Sequence, residues 1–350
     1  MPKRKRNEPP AEESTPSTSK DETTEASTTR VTRSRNKPPN APSTTTTSPP
    51  PKAQKESPKP PIPTSSFAST EPTATNSPNE DAFHASTIPH PQKDKGPIQC
   101  QRHGPSSVPP SLVFTHGAGG DLANEGVQLF CEGFAATGRM VWAFEGSMNL
   151  KSRVSGFDAV LAHLSNAGAG GEGEGEGEDE GVVKANGGTI ALGGTSMGAR
   201  AAVVAATNAN ASQRSPAVEA VVLASYPLIG ASKGDVRDQI LYDLPADIDV
   251  LFICGTEDSM CPLPHLNSVR GRMEARSWLI RVQDAAHGLG LKGKGKGAKA
   301  GTEALRREVG VLASEWLTHR DGDGERGRVR EVRWDAERGE VQTGEWCEEG

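Results

Sequence analysis

"LGGTSMGARAA", residues 192–202, sets Ser196 between Gly194 and Gly198. The three letters G-x-S-x-G prove little by themselves, because 39 of the 350 residues are glycine and short motifs match by chance. What surrounds them decides. "TIALGG" (189–194) is an unbroken apolar run, the pattern of a strand buried on both faces. An Ala-rich helix follows from Ser196 to about Asn208. A serine where a strand turns sharply into a helix is lifted above the sheet, and its neighbours must be small to avoid the adjoining elements. The helix N-terminus adds free amides and partial positive charge, with the Met197 amide as the natural first donor to an oxyanion. The plainer alternative is a Gly-rich packing turn with an incidental serine.

Working outward, the same alternation recurs. "SLVFTH" (111–116), "RMVWAF" (139–144), "VEAVVLASYP" (218–227), "DVLFICG" (249–255) and "SWLIRVQD" (277–284) read as strands. Helices are expected over 123–137, where Val127, Phe130, Cys131 and Phe134 share a face, and over 156–164, 263–275 and 301–319. Strands alternating with helices predict an α/β fold with a mostly parallel sheet covered on both faces. In such sheets sites form at the carboxyl ends of the strands. Every polar motif obeys that rule: His116–Gly120, Ser196, "GTEDSMCP" (255–262) and "AAHG" (285–288) each follow a strand.

Each motif has a chemical use. The loop His116-Gly117-Ala118-Gly119-Gly120 leaves amides free to face a developing oxyanion and can supply the second donor; His116 reads as an orienter of the loop. Asp258 follows Ser196, and His287 follows Asp258, the chain order of α/β-hydrolases. A histidine titrates near neutrality and suits a general base, whose tautomer a carboxylate fixes. Glu257 and Asp284 compete with Asp258 for the acid role, Asp284 ranking last because it stands three residues from His287.

"FTHGAGG", "AFEGSMNLKSRVSGFDAVLAHL", "ALGGTSMGARAA", "YPL", "LFICGTEDSMCPL" and "AAHG" together resemble one family across roughly 110–290. It is the α/β-hydrolase-like domain (KANL/Tex type) of testis-expressed hydrolase-like proteins and of a regulatory subunit of the NSL histone-acetyltransferase complex, more distantly similar to dienelactone hydrolases. The resemblance implies an α/β-hydrolase fold with Ser196, Asp258 and His287 as a catalytic triad and Ala118 and Met197 at the oxyanion hole. It implies a serine hydrolase of esters or thioesters. It also implies the alternative, a non-catalytic interaction module of a nuclear, chromatin-associated complex. The short connection after "YPL" (228–247) leaves no room for a large lid domain, so an open, shallow pocket is expected.

Composition bounds the rest. Hydrophobic residues are 33 %, below the roughly 45–50 % of globular domains, so part of the chain is expected to lack a core. That part is a basic Pro/Ser/Thr-rich tail, 1–97, and a Gly/Glu insertion, 168–186, both read as disordered. The hydrolase-like domain occupies 98–319. Residues 320–350 form a charged extension whose "VREVRWDAERGEVQTGEW" (329–346) reads weakly as an appended hairpin, with disorder as the alternative. Residues 1–60 hold 12 basic and 7 acidic residues, the remainder 27 and 38. An acidic body argues against specific nucleic-acid binding. Lys3-Arg4-Lys5-Arg6 suits nuclear import, and no apolar run reaches the roughly 18 residues of a membrane span, so a nuclear or cytoplasmic location is expected. The five cysteines lack zinc-type pairing; no metal and no cofactor is expected. The expected partner is a small-molecule ester or a nuclear protein complex. "KGKGKGAK" (292–299) reads as a solvated loop.

Overall fold

The short apolar runs become strands whose successive residues face opposite ways, and two helical layers cover the two faces. The computed structural model describes residues 83–90, 95–166, 189–212, 216–230, 232, 234–293, 295–320 and 328–348. Its first strands are β1 (His84–Ile88), β2 (Ile98–His103) and β3 (Pro110–Thr115), followed by α1 (Glu125–Ala135) and β4 (Met140–Phe144). Then come α2 (Leu150–Asn166), β5 (Thr189–Thr195), α3 (Met197–Ala211), β6 (Ala217–Ala224) and the single turn α4 (Gln239–Tyr242). β7 (Asp249–Gly255), α5 (Leu263–Arg270), β8 (Ser277–Val282) and α6 (Lys296–His319) complete the alternation. β9 (Arg328–Asp335), β10 (Glu340–Thr343) and β11 (Cys347–Glu348) close it.

The strands form one sheet in the order β1-β2-β4-β3-β5-β6-β7-β8-β9-β10, with β11 also on β9. From β4 to β9 every neighbour is parallel, and the antiparallel pairs lie at the two edges. Alternation sorts the core. Val113, Leu223 and Phe252 pack with α2, α3 and α5 on one face, while Phe114, Val222 and Leu251 pack with α1 and α6 on the other. On that second face the helices touch backbone to backbone. A Cβ on Gly133 of α1 would stand 1.8 Å from the Arg307 carbonyl oxygen, and one on Gly310 of α6 would stand 2.2 Å from that of Phe130.

Several expectations need correction. His84–Ile88, placed in the tail, is a strand that pairs antiparallel with β2 from His84↔Arg102 to Ile88↔Ile98. It is polar because it lies at the sheet edge, where only Ile88 of its five residues is buried. The rest of the tail, 1–82 and 91–94, and the whole Gly/Glu insertion lie outside the described residues. The β9–β10 hairpin is not an appendage: β9 pairs parallel with β8 and continues the sheet. The Lys/Gly run is not all loop either, since Lys296–Lys299 make the first turn of α6. Among the described residues no helix is long and apolar enough to cross a membrane.

Candidate active site

Ser196 stands at the β5–α3 turn with φ 54° and ψ −111°, a strained backbone for a residue bearing a Cβ. The turn is held from below, where the Ser196 amide donates to the Ala224 carbonyl at 2.9 Å. The flanking glycines are obligatory by contact. A Cβ on Gly194 would lie 2.6 Å from the Gly198 carbonyl carbon, and one on Gly198 would lie 2.5 Å from the Thr115 oxygen. The hydroxyl does not cap α3. It lies 3.0 Å from His287 Nε2 instead.

His287 begins a one-turn 3₁₀ helix, His287–Leu289, after β8. Its Nδ1 lies 2.9 Å from Asp258 Oδ2. Asp258 is buried after β7, and its other oxygen accepts the Met260 amide at 2.9 Å. A carboxylate can only accept, so Nδ1 carries the proton, and the Nε2 lone pair faces the serine hydroxyl. The loop itself is fixed by longer-range contacts: the Gly288 amide donates to Ser225 Oγ at 3.0 Å, and Arg306 donates to the Gly288 carbonyl from Nη2 at 3.1 Å. Gly288 takes a left-handed φ of 78°, which lets the chain reverse behind the imidazole.

The competing acids stand elsewhere. Glu257 is exposed and pairs with Lys292 Nζ at 2.7 Å, a hydrogen bond that holds its carboxyl below the usual range. Asp284 is exposed in a left-handed turn, its amide donating to Thr256 Oγ1 at 2.9 Å.

The glycine-rich loop after β3 lies against the same turn. Gly117, Ala118, Ser196 and His287 line one cavity of about 280 Å³, whose inner wall includes Phe130 of α1 and Val309 of α6. Among the described residues no acceptor engages the amides of Ala118 or Met197. His116 does not face that cavity. It is buried, which holds its pKa below the usual value although the Glu145 carboxylate at 3.1 Å pulls the other way. The neutral ring donates from Nδ1 to the Gly117 carbonyl at 2.8 Å and accepts the Gly146 amide at Nε2 at 2.9 Å. Sequence reasoning missed Arg153, Ser225 and Arg306. Arg153 alone left a readable trace, a charge on the stripe that α2 buries with Phe157, Val160 and Leu164.

Residues 179–311, which hold Ser196, Asp258 and His287, match the model of an alpha/beta hydrolase domain family. The fold is that of an α/β-hydrolase. Solved structures similar to this hydrolase fold include an alpha-beta serine hydrolase homologue from Coxiella burnetii, 14 % identical, covering 66 % of this chain and 96 % of its own, with a TM-score of 0.45. A dienelactone hydrolase from Anabaena variabilis is 18 % identical over 68 % of this chain and 97 % of its own, with a TM-score of 0.47. An esterase from Pyrobaculum calidifontis is 16 % identical over 68 % and 85 %, with a TM-score of 0.48. At such identities the substrate of any of them says nothing about the substrate here.

Proposed function

We propose that this protein is a serine hydrolase of ester or thioester substrates, with Ser196 as nucleophile, His287 as general base and Asp258 as orienting acid. One observation carries the reading. On a strained turn above the sheet, an uncapped serine hydroxyl lies 3.0 Å from an imidazole that a buried carboxylate holds at 2.9 Å. The chemistry follows from that line. Nε2 takes the proton as Oγ attacks the acyl carbon, and the imidazolium that forms is stabilised by Asp258. The developing oxyanion is received by the amides of Ala118 and Met197. The imidazolium then returns its proton to the leaving alcohol or thiol. Water, deprotonated by the same nitrogen, cleaves the acyl-enzyme.

The cavity supports small acyl groups, because about 280 Å³ falls just below the ~300–1,000 Å³ of small-molecule pockets. The kinship with testis-expressed hydrolase-like proteins belongs to the same reading. A fluorophosphonate probe tests it: purified full-length protein should label at Ser196 and hydrolyse short-chain aryl esters, and Ser196→Ala should abolish both. Folded wild-type protein that neither labels nor turns over would transfer the weight to the non-catalytic interaction module.

A further inference from the structure

Arg153 has no exposed surface. Every hydrogen bond it makes among the described residues ends on a backbone carbonyl: Nε on Ser147 at 2.9 Å, Nη2 on Gly146 at 3.0 Å and on Gly117 at 3.4 Å, and Nη1 on His116. Burial lowers its pKa to about 10, which still leaves it charged at neutral pH. A buried cation without a bonded carboxylate is costly, and the apolar stripe of α2 would accept a leucine at this position more cheaply. The arginine's contacts show what an apolar side chain there would forfeit. They join the loop after β3 to the loop after β4.

The decisive contact is Gly117. Its carbonyl receives both Arg153 Nη2 and His116 Nδ1. That oxygen belongs to the same planar peptide group as the Ala118 amide, and in a trans peptide the C=O and N–H point in opposite directions. Holding the oxygen against α2 therefore turns the N–H away from α2, and Ala118 lines the same cavity as Ser196. A cation on the oxygen also polarises the group and strengthens the N–H as a donor. The loop cannot hold this orientation unaided: Gly117, Gly119 and Gly120 leave it backbone freedom, and Gly119 sits at φ 68°.

The geometry points to Arg153 as a positioning residue of the oxyanion hole, acting with His116 on the Gly117 carbonyl to aim the Ala118 amide at the substrate's developing oxyanion. This rests on the serine-hydrolase reading above.

The test uses full-length Arg153→Met and Arg153→Lys, checked for folding by circular dichroism and thermal melting. Turnover of a short aryl ester and inhibition by a trifluoromethyl ketone, which forms an oxyanion when Ser196 adds to it, are then measured. Losing one oxyanion donor typically costs about 10²–10³-fold in turnover. Arg153→Met should lose kcat in that range with KM little changed, and its affinity for the ketone should fall in parallel. Arg153→Lys, which keeps the charge but not the fork, should fall between. In Arg153→Ala, added guanidinium should restore part of kcat, which gives a readout even where Met does not fold. A folded Met or Lys variant with wild-type kcat would overturn the inference, as would a kcat loss that leaves ketone affinity unchanged. Wild-type protein inert to ester and fluorophosphonate would overturn the hydrolase reading itself, a separate outcome.

Discussion

Gly198→Ala adds one methyl group where α3 meets the end of β3. The new Cβ would lie 2.5 Å from the Thr115 carbonyl oxygen, 2.7 Å from that of His116 and 3.0 Å from Thr115 Cγ2. Neither oxygen can swing away as a side chain would. Thr115 is clamped between Phe144 and Gly194 in the sheet, and the His116 carbonyl is bonded to Arg153. Relief therefore requires α3 to slide or the end of β3 to bend, and overpacking of this kind costs about 1–3 kcal/mol. The moving parts are those that carry Ser196 and the oxyanion loop, so turnover should fall further than stability, by about 10²-fold if one donor is displaced. Gly271→Ala is the matched control. It follows α5 at φ −65°, and its Cβ would meet nothing nearer than 3.5 Å. There alanine should be neutral or stabilise by about 0.4–1 kcal/mol through the unfolded chain. Urea melts followed by fluorescence of the buried Trp142, Trp278 and Trp316 report stability, and fluorophosphonate labelling rates report the site. Gly198→Ala protein that melts and labels like wild type would refute the close apposition of β3 and α3.

Four further outcomes are expected. Asp258→Asn should lower kcat by about ten-thousand-fold with the fold intact, because an amide offers His287 the wrong hydrogen-bond pattern. Glu257→Gln should leave turnover near wild type, and a reversed ranking in ester assays would reassign the acid. His103 is fully buried with neither ring nitrogen bonded, and burial lowers its pKa to about 4. Its folded pKa lies below the unfolded value, so the stability it contributes is full above about pH 6.5 and is lost as pH falls toward 4, by up to about 3 kcal/mol. Urea midpoints should therefore drop more steeply with acid in wild type than in His103→Phe, and equal slopes would refute this. Gly310→Ala should cost about 1–3 kcal/mol by driving α6 off the Phe130 carbonyl, as read by thermal melting.

The central strands were legible because burial on both faces writes them as unbroken apolar runs: β3 through β8 fall on the stretches read as strands, with ends that differ by at most three residues. The positions of Ser196, Asp258 and His287 followed from those strands, each residue lying just beyond a carboxyl end. Helix ends were less legible. α1 starts at Glu125 because the Asn124 side chain accepts the Gly126 amide at 3.0 Å. α5 ends at Arg270 rather than running to 275, with Gly271 as its cap. α6 begins five residues early, inside a Lys/Gly run of poor helix propensity. Tertiary packing overrides propensity there, since a Cβ on Gly301 would lie 2.6 Å from the Trp334 ring of β9.

What stayed hidden shares one cause. Periodicity says which face a residue occupies, never which distant backbone atom it will meet. β1 was passed over because a polar edge strand shows neither a full apolar run nor alternation over more than five residues. The contacts that fix the site are of the same non-local kind: Ser225 to Gly288, Arg306 to Gly288, Arg153 to His116 and Gly117. Ser225 and Arg306 carry no anomaly in sequence, because a serine after a strand and an arginine on a half-exposed helix are both ordinary. Arg153 differs. A residue that must be charged, set where the helix pattern demands an apolar one, announces that a buried acceptor awaits it. The chain has many carbonyls that could serve, and only the fold shows that the chosen ones carry the loop facing Ser196.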